Sequence, residues 1–209
     1  MKNFMMIILL MALVGCTGNF QLRNGDLLFQ SNEEGGLSSA IDEATGREKE
    51  ISFSHVGIIS IEANGIYVLE AEPERGVHLT PLQDFLDASA HDEKGRPLVV
   101  VERFADGMLA QRAVEKGKQY IGQPYDFSYL PDNDSMYCSE LVYESFLDEG
   151  GRHLLRSKPM TFKNADGVTP EYWLDLFSRQ HMEVPEGVEG TNPNDMLHDP
   201  ALVEVFRYY

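Results

Sequence analysis

The sequence predicts an α+β domain, an antiparallel sheet with helices gathered on one side of it. Three observations lead there. Ile51 to Ile61 (ISFSHVGIISI) is the strongest strand pattern in the chain, with Phe53, His55, Gly57, Ile59 and Ile61 on one face and Val56, Ile58 and Ser60 on the other. Ala63-Asn64-Gly65 then signals a tight hairpin turn, and Ile66 to Ala71 returns as a second strand. Pro73-Glu74-Arg75-Gly76 turns again into Val77-His78-Leu79-Thr80, so three successive strands read as a meander.

The remaining elements follow in chain order. Residues 1–15 read as a leader: Lys2 gives a positive start, and Phe4 to Val14 is an apolar run too short for a permanent membrane span. Residues 16–24 read as an anchor and linker, and residues 25–209 as one domain, long enough for a real core. Gly25 to Phe29 is a first strand. Leu37, Ala40, Ile41 and Ala44 line one face of a short helix ending near Gly46. After the meander, Pro81 to Leu86 predicts a turn or two of helix, and Ala88 to Arg96 a charged loop. Leu98 to Phe104 predicts another strand. Asp106 is placed to cap a helix from Met108 to Ile121, stopped by Gly122 and Pro124. The run Leu130 to Ser135 is rich in turn residues, and helical spacing begins at Cys138 with Leu141, Val142 and Phe146. Pro170 to Phe177 predicts a helix carrying the only tryptophan, Trp173. Val184 to Pro200 predicts a loop, and Leu202 to Phe206 a closing strand.

Charge narrows the function. The net charge is −17, and loss of Lys2 with the leader makes it more negative. Such a surface repels nucleic acid and has no electrostatic pull toward anionic lipid, so membrane attachment would have to come through a lipid group. The leader ends in Leu13-Val14-Gly15-Cys16, which resembles a bacterial lipobox. The resemblance implies cleavage before Cys16, lipidation of Cys16 and anchoring in the cell envelope. Thr17 at the next position implies the outer membrane rather than retention at the inner one. An ordinary secretory leader with an incidental cysteine is the alternative.

With Cys16 carrying lipid, Cys138 has no partner within the chain, and an unpaired cysteine in an exported protein suggests a reactive thiol. Cys138 stands where a loop becomes a helix, and unsatisfied N–H groups and the helix dipole favour a thiolate there. The alternative is a small buried side chain. A cysteine nucleophile needs a base and a group to orient that base. His55 puts an imidazole on an apolar strand, with Gly57 two residues on leaving room on the same face. Glu70 puts a carboxylate inside the apolar return strand. If the hairpin register permits, it lies beside the His55 strand and fixes the histidine tautomer. Glu72 and Glu74 are rivals for that role, and a plain surface glutamate is the alternative for Glu70. His78, His91, His153, His181 and His198 have weaker settings. No spacing resembles a structural zinc site or a phosphate loop, and no metal or cofactor is implied.

Ile121-Gly122-Gln123-Pro124-Tyr125 followed by Cys138-Ser139-Glu140-Leu141-Val142 resembles the nucleophile segment of NlpC-type papain-like cysteine hydrolases. In the usual members the cysteine segment precedes the histidine strand. Here Ser54-His55-Val56-Gly57-Ile58 comes first, and Gly25-Asp26-Leu27-Leu28-Phe29 precedes both. That order resembles the circularly permuted YiiX-like branch, to which lecithin:retinol acyltransferase-like proteins are related in topology. The resemblance runs from about Gly25 to Leu147. It implies a papain-like core with Cys138 as nucleophile, His55 as general base and Glu70 as the third polar residue. Tyr125 matches a tyrosine often found near the site, and Asp26 matches a Gly-Asp pair of the first strand. Ser54 and Tyr137, which flank the histidine and the cysteine, join Tyr125 and Asp26 as expected substrate-binding residues.

The expected activity is cleavage of an amide by a lipid-anchored cysteine hydrolase, with a cell-wall peptide or an N-acyl, lipid-like molecule as substrate. An acyltransferase of the same thiol chemistry is a second reading, and it calls for a dry apolar pocket with the Asp166–Phe177 segment as one wall. A catalytically inactive ligand-binding lipoprotein is a third.

Overall fold

A computed structural model describes residues 20–33, 35–46 and 51–209. The leader and Cys16 lie outside the described residues. The chain enters the sheet in its middle. β1 (Leu27–Gln30) pairs on one side with β2 (His55–Glu62) and on the other with β5 (Val99–Phe104). From β2 the meander runs outward through β3 (Gly65–Glu72) to β4 (Gly76–Pro81). β8 (Leu202–Arg207) closes the other edge against β5. The order is β4-β3-β2-β1-β5-β8, and every neighbouring pair is antiparallel. A separate two-stranded piece joins β6 (Lys158–Pro159) to β7 (Glu189–Gly190).

The helices are α1 (Gly36–Thr45), α2 (Leu82–Asp87), α3 (Gly107–Gly117), α4 (Cys138–Ser145), α5 (Glu171–Arg179) and α6 (Pro193–Met196). Asp106 caps α3, accepting from the Met108 and Leu109 amides. The expected helix to Ile121 tightens into a 3-10 turn at Lys118–Tyr120. Gly117 explains the break in character. A Cβ there would sit 2.7 Å from both Leu69 Cδ2 and Ser145 Oγ, so α3 lies close against α4 and the sheet. Among the described residues, no helix is long and apolar enough to cross a membrane.

The two sheet faces carry separate cores. Leu27, Phe29, Val56, Ile58 and Leu69 pack against α1, α3, α4 and α5 in the larger one. Leu28, Ile59, Val68, Val99 and Val101 form the smaller one, covered by Phe85 and Leu86 of α2 and by Phe20, Leu22 and Phe206. The helices are therefore not all on one side, because Phe85 and Leu86 of α2 cap the second face at the meander. Strand alternation puts His55 and Glu70 on that second face, together with Ile59 and Val68. α4 packs on the first face through Leu141 and Val142. His55 is the first residue of β2, so it meets α4 at the end of the sheet rather than through it.

Candidate active site

Cys138 is the first residue of α4, reached through a loop that the side chains themselves organise. Asp126 accepts from the Ser128 amide at 2.7 Å and from the Asn133 amide group at 3.2 Å. The Met136 amide donates to the Pro124 carbonyl at 3.0 Å, and the Asp126 amide to the Met136 carbonyl at 3.2 Å. These bonds set Tyr125 beside the residues leading into Cys138. The same segment is tied to the sheet: the Val77 amide donates to the Gln123 carbonyl, and the Gly122 amide to the Val77 carbonyl, both at 2.9 Å. Gly76 permits this contact. Its φ is +63°, and a Cβ would fall 2.1 Å from the Gln123 carbonyl oxygen.

At the start of α4 the Tyr137 amide donates to the Glu140 carboxylate at 3.3 Å. Burial pushes Glu140 up to about 8, with Asp126 and Glu144 adding repulsion, so it is largely neutral at pH 7. Cys138 itself is buried and unpaired. As the first helical residue it has no carbonyl one turn back within the helix to take its amide hydrogen.

His55 faces Glu70. Nε2–H donates to Glu70 Oε2 across 2.6 Å, which leaves Nδ1 as the ring nitrogen available to the Cys138 thiol. Burial of the imidazole works against its charged form. The hydrogen bonds and negative charges of Cys138 and Glu70 outweigh burial and push His55 up to about 10. Burial likewise opposes ionisation of Glu70, yet the bond to His55, its charge and a bond from Thr80 hold that carboxylate below its ordinary value. Glu70 is 1 % exposed, so the ion pair is shielded from solvent. Room for it comes from Gly57, where a Cβ would lie 2.3 Å from Val68 Cγ1 and 3.4 Å from Glu70 Cβ.

Two openings flank the Cys138–His55 pair, and Tyr125 and Ile41 line both. On the thiol side is a narrow slot walled by Tyr129, Tyr137, Met160, Phe162 and Trp173. Trp173 is fixed by donating Nε1–H to the Ala40 carbonyl at 3.3 Å, so the Asp166–Phe177 segment does supply a wall. Two buried hydroxyls in this lining, Ser139 Oγ and Thr191 Oγ1, have no hydrogen-bond partner. On the imidazole side is a more polar groove lined by Gln30, Asn32, Ser38, Ser54 and His55, with Glu72 and Glu74 as its charged groups.

The structure thus brings Cys138, His55, Glu70, Tyr125, Ser54 and Tyr137 together. Ser54 accepts from the Asn32 amide at 3.4 Å, and the Tyr137 hydroxyl accepts from the Thr191 amide at 3.2 Å. Asp26 is elsewhere, which corrects its expected place among substrate contacts. It precedes β1 at the end opposite Gln30, where it binds Arg103 through both oxygens at 2.7 and 2.8 Å and accepts from the Arg23 amide. A buried carboxylate so fully paired pins the chain's entry into the sheet. Tyr129, Met160, Phe162, Thr191 and Asn194 were not singled out from sequence. Asn194 holds the approach to His55, accepting from the Phe53 amide at 2.7 Å while donating to Thr45 and Ser52 at 2.9 Å. Only a Pro-Asn pair in a loop-like run marked it.

A thiol at a helix start, an imidazole on a strand and a carboxylate behind it define a papain-like cysteine hydrolase in permuted order. Residues 21–206 match the family of permuted papain-like amidases named for YaeF and YiiX. The chain belongs to this family, and its members are amidase-type cysteine hydrolases. It is 30% identical to the uncharacterized protein YiiX of Escherichia coli K12 over 99% of its own length and 96% of that protein. It also superposes on the crystal structure of metalloprotein YiiX from Escherichia coli O157:H7 with a TM-score of 0.70 and 27% identity, covering 90% of this chain and 98% of that one.

That relative is described as a metalloprotein. Among the described residues, Glu70, Glu72 and His78 bring three ligand atoms within 4.8 Å of one another. They do not fit an ion well. Glu70 is already bound to His55, Arg75 donates to Glu72 Oε2 at 2.7 and 3.1 Å, and His78 Nε2 lies 2.9 Å from the Thr80 hydroxyl. Each carboxylate already has a basic partner.

Proposed function

We propose that this chain is a lipid-anchored envelope hydrolase that cleaves an amide between an apolar acyl group and a polar amine, with Cys138, His55 and Glu70 as its triad. The observation that carries this reading is the position of Cys138 in the wall of an apolar slot with no charged lining residue. A cell-wall peptide, with its carboxylates, would find no cation there. The leaving group belongs on the other side, because His55 must protonate it, and that side is the polar groove.

In this mechanism the Cys138 thiolate attacks the amide carbonyl, and the amide hydrogen of Cys138 stabilises the oxyanion. The His55 imidazolium gives its proton to the departing amine, leaving a thioester on Cys138. Neutral His55 then takes a proton from water as the water attacks the thioester. The acid is released and the ion pair restored. Glu70 holds the ring so that Nδ1 faces sulfur throughout. Anchoring through Cys16 would place the slot near acylated molecules of the envelope, with the outer membrane the expected site.

The test is product analysis on a panel of N-acyl amides of increasing chain length beside cell-wall peptides, with and without an added alcohol or amine. Release of free fatty acid supports the proposal. Cleavage confined to peptides would overturn the acyl assignment. Acyl transfer to the added acceptor in preference to water would establish the transferase reading, which the apolar lining of the slot also favours.

A further inference from the structure

We propose that Ser139 and Thr191 are specificity residues for the acyl part of the substrate, and that this part carries a hydroxyl group rather than being a plain hydrocarbon chain. The inference rests on the hydrolase reading above and names its substrate more closely.

Most polar side chains lining the slot already have partners within the protein. Thr45 donates its hydroxyl hydrogen to the Ile41 carbonyl at 2.7 Å and accepts from Asn194 Nδ2 at 2.9 Å. Thr161 donates to Glu186 Oε1 at 2.9 Å, and Asn192 Oδ1 accepts from the Asp195 amide at 2.9 Å. The Tyr137 hydroxyl accepts from the Thr191 amide at 3.2 Å and donates to Met160 Sδ at 3.8 Å. The Tyr125 and Tyr129 hydroxyls lie 3.5 Å apart. Ser139 Oγ and Thr191 Oγ1 line the same slot and have no partner. Ser139 is 0 % exposed and Thr191 6 %, so neither oxygen is open to bulk solvent.

Packing does not ask for these two hydroxyls. Alanine at 139 and valine at 191 would fill nearly the same space without a buried, unbonded polar atom, which is a net cost to the fold. A ligand that bonds to them removes that cost. The slot therefore favours a chain with a polar group over one without.

The neighbours of the two residues locate that group. Ser139 directly follows the nucleophile in α4, and Tyr137 directly precedes it. Thr191 follows β7 and is held by its amide at the hydroxyl end of the Tyr137 side chain. Both hydroxyls are thus tied to residues on either side of Cys138. The group they meet lies near the carbonyl that Cys138 attacks, not at the far end of the chain.

The lining also sets the chemistry. Among the described residues, no charged side chain lines the slot, so a carboxylate or phosphate would be buried there without a cation. A serine or threonine hydroxyl both donates and accepts, and so does a hydroxyl on the ligand. It does this with one heavy atom, which suits a narrow slot walled by aromatic rings better than a planar amide. The substrate class is an amine acylated by a hydroxy acid.

The experiment uses N-acyl amides of equal chain length, either plain or with a hydroxyl at one of the first few carbons. Binding is measured by calorimetry on protein starting at Thr17 with Cys138→Ala, and kcat/KM on the same protein with its thiol intact. Each is repeated with Ser139→Ala, Thr191→Val and Thr191→Ser. One hydroxylated isomer is expected to bind and turn over about tenfold better than the plain chain, the equivalent of one hydrogen bond. Ser139→Ala and Thr191→Val should each shrink that ratio through KM and leave the plain chain unchanged. Thr191→Ser should keep it. Both hydroxyl-free variants should melt at or above wild type, and a lower melting temperature would show a bonded hydroxyl in the free protein and overturn the proposal. Equal handling of plain and hydroxylated chains overturns it too. So does a loss of kcat in Ser139→Ala that is the same for every amide, which would place that hydroxyl on the reacting carbonyl. A tenfold binding preference without turnover overturns the hydrolase reading and leaves the slot's specificity standing. Absence of binding by any of these chains overturns both.

Discussion

His55 Nε2 and Glu70 Oε2 are 2.6 Å apart, a charged bond between the start of one strand and the interior of the next. The two residues are not directly opposite. Gly57 lies between them on the same face, and the Glu70 side chain passes over it. Gly57→Ala would drive a methyl into Val68 Cγ1 and crowd Glu70. It should destabilise the domain by about 1–3 kcal/mol and slow alkylation of Cys138. Denaturant unfolding and thiol kinetics on the same protein check both effects.

The raised His55 value makes stability depend on pH in one direction. A histidine held at about 10 when folded, against 6.5 ordinarily, contributes its full stabilisation below about pH 6.5 and loses it as pH rises toward 10. Wild type should therefore melt well above His55→Gln at pH 6, and the gap should close progressively up to pH 10. A gap that widened over this range would contradict the ion pair.

Glu140 works with the opposite sign. Its folded value of about 8 lies above the ordinary 4.5, so its ionisation is disfavoured in the folded state. Its penalty grows as pH rises from 4.5 to about 8 and is constant above. Glu140→Gln keeps an acceptor for the Tyr137 amide and removes the charge. It should raise the melting temperature by an amount that increases across that window, with the Cys138 alkylation profile little changed.

Cys138→Ala should abolish turnover, by on the order of 10³-fold or more, while leaving the fold intact by circular dichroism, with some loss of melting temperature at pH 6 because His55 loses one of the two partners that favour its charged form. Retained activity in this variant would end the nucleophile assignment.

Thr191 Oγ1 is buried in the apolar slot without a partner. Thr191→Val removes that unpaired hydroxyl at constant shape and should be neutral or slightly stabilising in thermal melts. Substrates whose acyl part carries a hydroxyl or amide should show a higher KM, and plain acyl chains should not. An equal change for both would place Thr191 outside the bound chain. Trp173→Leu opens the wall of the same slot and should raise KM most for the longest acyl groups.

Much of this site is legible in the chain itself. Alternation in the Ile51–Ile61 run, the Asn64-Gly65 turn and the apolar return strand specify a hairpin, and the hairpin carries His55 and Glu70. The loop before Cys138 and the apolar spacing after it place a thiol at a helix start. The permuted order of the motifs identifies the family. These features are local, set by backbone chemistry and by the period of the apolar residues.

What only the tertiary structure decided depends on contacts between residues far apart in the chain. Glu70 stands out from Glu72 and Glu74 because the strand register points it at His55, whereas Glu72 is taken by Arg75. Asp26 leaves the site because Arg103, 77 residues away, neutralises it at the far end of β1. Tyr129, Met160, Phe162 and Thr191 wall the slot although they lie in irregular segments with no period to read. Propensity and periodicity determine which elements form and which face of each is buried. A pocket or a buried ion pair is the product of packing several such elements together, and the free energy that selects its members appears only once they are assembled.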